Sequence, residues 1–225
     1  MSEEELINKQ SEDDKEEESG SEVMPELPVG TSTPFGNYSW EQISVIAKSG
    51  MASTYFRVGE IKELALTTGE VMRMAILGFD MDTANDGSAI PITLQAVDCM
   101  NKRCNAKNFA KYMNEVYASI PTNVKKIIVP ACKGQEYETL WLPNEIEVFG
   151  KTAYSKDNFG NQYPYYQEKC HRCKFRNNSP STVYWWLRSV ASVYDGGHCR
   201  VSRTGYHGSF GDGFALNMAP AFCIG

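Results

Sequence analysis

The sequence contains no apolar run that approaches the roughly 18 residues needed to cross a membrane as a helix. Its first residues are acidic, whereas a secretory signal begins with basic residues followed by an apolar stretch. We therefore expect a protein that is synthesised in the cytoplasm without a signal peptide and that does not insert into a membrane.

Metal-binding and redox residues are also sparse. The chain has three histidines, and its seven cysteines are an odd number spread along 225 residues, unlike a disulfide framework. Free thiols, no cofactor and no metal site are therefore expected. The alternative is zinc bound by Cys170 and Cys173, the ends of the single CxxC motif, with Cys99 and Cys104 as two further ligands.

Motifs that would indicate an enzyme or a nucleic-acid-binding protein are missing. The chain has no phosphate-binding Walker loop, no dinucleotide-binding glycine pattern and no nucleophile elbow. The basic pair Lys125-Lys126 is too small to form a nucleic-acid footprint. These absences favour a protein that is not an enzyme and that has no nucleic-acid partner.

Charge divides the chain into two parts. The first 28 residues contain 11 acidic residues and two lysines, so the remainder is slightly basic although the whole chain has a net charge of −6. Such an acidic stretch has too little apolar surface to offset the entropy lost on ordering. Residues 1–34 are predicted to be a disordered acidic arm that solubilises the chain or tethers it to an assembly such as a virion, and residues 35–225 a single domain.

The remainder shows the patterns of a mixed α and β domain. Ser39, placed before an apolar run that stops at Gly50, predicts a helix, and Asn144 and Gly150 bracket a further helical turn. Apolar residues recurring every three or four positions predict an amphipathic helix over 106–119. A short helix is predicted around 123–127, two or three antiparallel strands over 55–80, and further strands over 90–97, 183–187 and 219–224.

Residues 151–181 are aromatic and polar without periodicity, and we expect a long surface loop there. The predicted fold class is therefore α+β, with mostly antiparallel sheets, two packed helices and a long loop-rich C-terminal region. In the strand over 183–187, the adjacent Trp185 and Trp186 should point to opposite faces, so that one anchors the core while the other lies beneath surface loops. Arg188 is expected to form a structural ion pair.

Two motifs near the carboxyl terminus occur together, Tyr184-Trp185-Trp186-Leu187-Arg188-Ser189 and Ala219-Pro220-Ala221-Phe222-Cys223-Ile224. In this arrangement the chain resembles a widespread bacterial and phage domain family of unknown function, whose members carry a WWLRS strand, a loop-rich insert and a final GVRPAF-type strand. The likeness covers most of residues 36–225 and extends upstream through Trp40, Gly50, Val58-Gly59, Pro91-Ile92-Thr93, 142–150 and 162–166. Met218-Ala219 replace the Val-Arg that usually precedes the proline, so an arginine contact is not implied there.

That family is similar in layout to the C-type-lectin-like fold of formylglycine-generating enzymes and of the variable proteins of diversity-generating retroelements. The resemblance implies a flat ligand-binding face built by C-terminal loops. It also implies diversification by adenine mutagenesis, which reaches Tyr, His, Asp, Ser, Cys, Arg, Gly, Phe and Val from asparagine-type codons.

The insert over residues 187–217 fits that implication, because it has no Lys, Glu, Gln, Met or Trp, none of which such mutagenesis reaches. Its Tyr, Ser, Gly, His and Arg residues are also a palette that antibody paratopes use. A glycine-rich loop region that happens to avoid long side chains is the alternative. We hypothesise that the insert contacts a protein or glycan on a cell surface through Tyr194, Asp195, His198, Arg200, Ser202, Arg203, Tyr206, His207, Ser209, Phe210 and Asp212.

The leading interpretation is a retroelement-diversified, virion-associated variable protein that binds a ligand or receptor. One alternative is an intracellular protein-interaction module of the same fold with a fixed surface. A more remote alternative is an oxidase of the formylglycine-generating type that depends on Cys199 or Cys223. No catalytic residue is expected under the first two interpretations.

Overall fold

The structure is a computed structural model that describes residues 33–176, 179–192 and 196–225. The predicted acidic arm lies outside the described residues except for Thr33 and Pro34. The α-helices are α1 (Trp40–Lys48), α2 (Ala52–Tyr55), α3 (Phe109–Ser119), α4 (Thr122–Lys125) and α5 (Glu145–Phe149). The strands are β1 (Ile61–Ala65), β2 (Val71–Gly78), β3 (Asp82–Thr83), β4 (Ala89–Ile90), β5 (Ile92–Ala96), β6 (Cys104–Asn105), β7 (Ile128–Val129), β8 (Ala131–Lys133), β9 (Glu136–Glu138), β10 (Lys174–Phe175), β11 (Thr182–Val183), β12 (Trp185–Val190), β13 (His198–Val201), β14 (His207–Phe210), β15 (Ala215–Leu216) and β16 (Ala221–Ile224). The fold is thus α+β with mostly antiparallel sheets, as predicted.

The largest sheet has five strands in the order β1-β2-β5-β16-β7, and every neighbouring pair is antiparallel. The last strand, β16, lies between β5 and β7, so that Ile224 is opposite Ile92 on one side and Ile128 on the other. Every residue of β5 and β16 is buried. The strand that ends the sequence therefore fills the interior of the central sheet.

The helix starts predicted from capping residues are confirmed. Ser39 accepts a hydrogen bond from the Gln42 backbone N–H at 3.1 Å, and the Gln42 side chain accepts one from the Ser39 N–H at 2.8 Å. This reciprocal pair satisfies two backbone donors that have no partner inside the helix. Asn144 caps α5 in the same way, and Gly150 ends it with a left-handed backbone at φ 74°.

The amphipathic helix predicted over 106–119 is α3, preceded by a 3-10 turn over Ala106–Asn108. Its buried side includes Tyr112, Met113 and Val116. The predicted number of helices is wrong, because the described residues form five rather than two. Of the three further helices, α4 and α5 correspond to the short helix predicted around 123–127 and to the helical turn predicted at 144–150, whereas α2 has only four residues, too few for an apolar periodicity to be read. None of the described helices has the length and apolar character required to span a bilayer.

The surface loop predicted over 151–181 is wrong in part, because this segment contributes to the core. Tyr163, Tyr166 and Lys174 are almost completely buried, and two 3-10 turns lie at Pro164–Gln167 and Lys169–Arg172. The Lys174 ammonium donates to the Ala96 carbonyl at 2.6 Å, and burial lowers the pKa of Lys174 to about 8. Aromatic rings supply buried area without regular periodicity, which explains why the pattern resembled a loop.

A cluster of charged groups lies in the interior between β3, β8 and α5. The Lys133 ammonium contacts the carboxylate of Asp82, the Glu147 carboxylate at 2.7 Å and the Tyr163 hydroxyl at 2.8 Å. All four side chains are buried. Burial lowers the pKa of Lys133, but the two carboxylates outweigh burial and raise the pKa above its ordinary value. The cluster therefore pairs a buried cation with two acids, the arrangement that a buried charge requires.

Candidate ligand-binding face

The insert forms a second sheet, in which β13 lies between β12 and β14 and all neighbours are antiparallel. Arg200 of β13 is opposite Trp186 on one side and Gly208 on the other, and His198 is opposite Phe210. Directly opposed residues in an antiparallel pair share a face of the sheet. The register therefore assigns the predicted contact residues to two different faces.

The inner face turns toward α5. Cys199 and Ser209 are buried there, and Nδ1 of the half-buried His207 lies 3.3 Å from Glu145 Oε1. The His207 ring lies 4.8 Å from the Phe149 ring, so an apolar wall also confines it. His207 and Ser209, although predicted as ligand contacts, therefore face the interior, because alternation along β14 places them opposite to Phe210.

The opposite side of this sheet carries the buried Trp186 and the exposed Val190 by register. The name outer face is used here for a cluster on that side that register and ring contacts define, namely Tyr184, His198, Arg200, Arg203, Phe210 and Phe214. The Arg200 guanidinium lies 4.7 Å from the Tyr184 ring centroid and 4.6 Å from that of Phe210. Arg203 lies 5.3 Å from the Tyr184 ring, and the exposed Phe214 stacks on Phe210 at 4.9 Å. Cations and rings thus alternate across the surface at distances typical of cation–π contacts.

Gly208 allows Arg200 to lie flat on the sheet. A Cβ atom at position 208 would be 2.8 Å from Arg200 Cζ, closer than real side chains approach. Burial lowers the pKa of Arg200, because partial removal from water disfavours the charged form. The Nε atom of Arg200 is buried without a hydrogen-bond partner among the described residues. Arg200 is therefore a fixed, partly exposed cation, and it is the exposed part of its side chain that a ligand could contact.

His198 lies at the edge of the outer face, partly covered by rings. Its imidazole meets Phe109 edge-to-face at 5.1 Å and Trp186 at 6.4 Å. Burial lowers the pKa of His198, against the opposing effects of the Gly196 backbone and of Asp212. The Asp212 carboxylate itself lies 3.1 Å from the Lys107 ammonium. Asp212 is therefore engaged in a surface ion pair beside the outer face.

The turn between β13 and β14 carries three further predicted residues. Ser202 Oγ accepts a hydrogen bond from the Tyr206 backbone N–H at 2.9 Å, so Ser202 shapes the turn. Arg203 and Tyr206 are exposed, and Tyr206 retains 59% of its accessible surface. The Lys169 ammonium lies 3.5 Å from the Tyr206 ring centroid and lowers the pKa of Tyr206. The tip of the hairpin thus presents polar and aromatic groups to solvent.

The two adjacent tryptophans of β12 lie on opposite faces of this sheet, as predicted, with Trp186 on the side of Arg200 and Trp185 on the side of Val201, and both are buried. Trp185 donates from Nε1 to the Arg172 carbonyl at 2.9 Å, and Trp186 donates to the Cys104 carbonyl at 2.8 Å. Neither has accessible surface. The expected ion pair of Arg188 is also confirmed, at 2.6 Å from Glu138. The outer face is consequently built on side chains that cannot move without disrupting the core.

The thiols that an oxidase mechanism would need are enclosed. Cys199 is buried in β13 and Cys223 in β16, strands of different sheets. Burial raises the pKa of both thiols, and a nearby carboxylate, Glu145 for Cys199 and Asp82 for Cys223, raises it further. The thiolate is the reactive form of cysteine, so both positions disfavour nucleophilic or redox chemistry.

Of the eleven predicted contact residues, Tyr194 and Asp195 lie outside the described residues. Tyr184, Phe214 and Lys169 belong to the surface but were not among the predicted contacts. Phe214 could have been found from the composition of the insert, whereas Lys169 is brought to Tyr206 by folding alone.

Comparisons of the chain with protein-family models, with curated proteins and with solved structures found no match. Every functional inference about the outer face therefore depends on its own geometry and chemistry.

Proposed function

We propose that the chain is a ligand-binding protein whose domain is C-type-lectin-like and whose outer face contacts a protein or glycan on a cell surface. The observation that carries this proposal is Arg200, held between the rings of Tyr184 and Phe210 on a sheet anchored by buried tryptophans. Such an arrangement fixes a cation and its aromatic neighbours before a ligand arrives, which reduces the entropy lost on binding.

The chemistry of the outer face is that of a recognition surface. Tyrosine, phenylalanine and arginine supply broad amphipathic contact area with few rotatable bonds. Arg200 and Arg203 provide guanidinium donors, which match planar acceptors such as carboxylates and backbone carbonyls. A protein or glycan surface rich in acidic or carbonyl groups therefore fits this face.

The pattern of exposure also supports diversification by a retroelement. The members of the outer face that lie in the insert are His198, Arg200, Arg203, Phe210 and Phe214. Each is of a type that adenine mutagenesis reaches, and each is at least partly exposed. Because surface substitutions away from special contacts change stability by only about 0.5 kcal/mol, many sequences can occupy such a face.

A paired-variant binding assay tests the recognition function. The fluorescently labelled full chain is titrated onto a panel of bacterial cells, and Arg203→Ala/Tyr206→Ala is compared with Lys126→Ala/Tyr137→Ala. Each pair removes one exposed cation and one exposed tyrosine, but the first takes Arg203 from the outer face and Tyr206 from the adjoining hairpin tip, whereas Lys126 and Tyr137 lie outside the insert. We expect the first pair to weaken binding at least tenfold and the second to leave it unchanged. Equal binding by the two pairs would contradict the proposal.

Diversification is tested separately by sequencing codons 187–217 from many related isolates. We expect amino-acid differences to concentrate at the exposed positions of the outer face, with Cys199 and Val201 unchanged because both are buried. A uniform sequence across isolates would favour the fixed-surface interaction module instead.

A further inference from the structure

Three metal-ligating side chains meet where the chain leaves the Tyr165-Tyr166 segment. Glu168 precedes the 3-10 turn over Lys169–Arg172, and that turn carries Cys170 and His171. One ligand atom from each residue lies within 4.8 Å of the others. Cys170 Sγ is 3.7 Å from Glu168 Oε2, and His171 Nε2 is 4.0 Å from the same oxygen.

The His171 imidazole is oriented as a metal ligand requires. Its Nδ1 lies 2.7 Å from the Tyr165 carbonyl oxygen, and its ring stacks on Tyr165 at 4.1 Å with an interplanar angle of 7°. A carbonyl oxygen only accepts hydrogen bonds, so this contact assigns the proton to Nδ1 and leaves the Nε2 lone pair directed elsewhere. Metal-ligating histidines commonly donate their other N–H to a backbone carbonyl in this way.

Two of the separations, 3.7 and 4.0 Å, are within about 0.6 Å of those in a tetrahedral zinc site, and the third is at most 4.8 Å. Bonds of about 2.3 Å to sulfur and about 2.0 to 2.1 Å to nitrogen or oxygen place tetrahedral ligand atoms roughly 3.4 to 3.6 Å apart. The Glu168 side chain is 74% exposed and Cys170 is exposed as well, so small rotations of unconfined side chains close the remaining gap. A mixed set of thiolate, imidazole and carboxylate suits zinc better than magnesium or calcium.

We propose that Glu168, Cys170 and His171 bind one zinc ion and leave its fourth coordination position open. This site differs from one built on the CxxC motif, because it does not include Cys173. The Cys173 Sγ atom instead packs against Gly205, where it lies 3.1 Å from the position that a Cβ atom of residue 205 would occupy. The same turn supports the hairpin tip, since the Lys169 ammonium lies over the Tyr206 ring. The Lys169 carbonyl oxygen also lies 3.0 Å from the Cβ position of residue 205. Zinc would therefore stiffen the support beneath Tyr206.

Cobalt substitution tests this site without knowledge of any ligand of the outer face. The reduced full chain is stripped with a chelator and titrated with Co²⁺ and then Zn²⁺, and bound metal is counted by elemental analysis. We expect one ion per chain, thiolate-to-cobalt charge-transfer absorption, and displacement of Co²⁺ by Zn²⁺. Cys170→Ser and His171→Ala should each weaken binding at least tenfold, whereas Cys132→Ser, a change at a partly exposed thiol in β8, should bind as the wild type does.

Cys170→Ser and Cys132→Ser alter exposed or half-exposed thiols, so their metal-free melting temperatures should match the wild-type value. His171→Ala should lower it, because the ring no longer stacks on Tyr165 or bonds to its carbonyl. The effect of Zn²⁺ is therefore measured against each variant's own metal-free value. Added Zn²⁺ should raise the melting temperature of the wild type but not of His171→Ala, because a ligand that binds only the folded state stabilises it. Absence of stoichiometric binding would overturn the proposal. So would binding that survives His171→Ala but is lost in Cys173→Ser, since that result would place the metal on the CxxC motif.

Discussion

The inner strands of the two principal sheets differ in how completely they are covered. In the central sheet every residue of β5 and β16 is buried, so both faces are enclosed around these two strands, whereas every second residue of the edge strand β1 is exposed. In the sheet of the insert, buried Cys199 and Val201 alternate with half-exposed His198 and Arg200. The comparison therefore concerns the inner strands: β5 and β16 are enclosed on both sides, whereas β13 and β14 are enclosed on one side and partly exposed on the other, although Trp186, which shares that side with Arg200, is covered.

The cations of the two regions show the same difference. Lys133 is held in the interior by the carboxylates of Asp82 and Glu147. Arg200 lies between two rings, and no carboxylate pairs with it among the described residues. A buried ion pair constrains its partners strongly, whereas stacking on rings depends little on the identity of neighbouring polar groups. Substitution should therefore lower the free energy of unfolding strongly at the buried charged cluster and only slightly at the outer face.

The largest expected effect comes from removing a phenylalanine from each sheet. Phe222 of β16 is fully buried, so Phe222→Ala should lower the free energy of unfolding by about 3 to 5 kcal/mol through a cavity in the core. Phe210→Ala, at a half-exposed position, should cost about 1 kcal/mol. Urea denaturation of both variants measures the difference. Similar losses would mean that the outer face is part of the structural core.

A cation deletion in each region should give the next largest contrast. Lys133→Met leaves two buried carboxylates without their partner and should cost about 3 kcal/mol, whereas Arg200→Met should cost about 1 kcal/mol or less. Because the folded-state pKa of Lys133 is raised, its stabilisation is complete below the unfolded pKa of about 10.4 and is lost as pH rises through the folded value. Unfolding measured at neutral and alkaline pH should show that step in the wild type only. An equal penalty for both variants would contradict the comparison.

Features set by neighbouring residues could be predicted from the sequence. The caps at Ser39 and Asn144 and the end of α5 at Gly150 depend on residues within one turn of each helix. The face of α3 is likewise encoded in a run of eleven residues. Such signals are local, so they can be read from the sequence without knowledge of the tertiary fold.

Features assembled across the chain could not be predicted. Lys133 meets Asp82 across 51 positions, and nothing near either residue indicates the pairing. The assignment of His207 to the inner face depends on the register between β13 and β14, which the turn between these strands sets. The burial of Tyr163 depends on the same charged cluster and has no periodic signal in its own segment.

Substitution of a glycine in the insert tests the position of Arg200 with a smaller expected loss of stability. Gly208→Ala places a Cβ atom against Arg200 Cζ, so the guanidinium should leave the rings of Tyr184 and Phe210. Only the end of a flexible side chain has to shift, so the free energy of unfolding should change by about 1 kcal/mol or less, while the affinity for cells should fall. Gly211→Ala is the matched control, since a Cβ atom there has no neighbour within 4 Å. Changed ring-proton shifts of Tyr184 in the first variant alone would report the displacement, and unchanged shifts would show that Arg200 does not stack as described.

The smallest expected effect is a pH dependence confined to the insert. Burial lowers the folded-state pKa of His198, so its contribution to stability is present above the unfolded pKa of about 6.5 and is lost as pH falls through the folded value. His198→Phe keeps a ring against Phe109 and Trp186 but cannot take up a proton. As the pH falls from about 7.5 to about 5, the wild type should therefore lose a few tenths of a kcal/mol of unfolding free energy relative to the variant. The change is small because solvent screens a half-exposed group. A flat difference would show that His198 titrates as if it were in water, and that the rings beside it provide shape without desolvation.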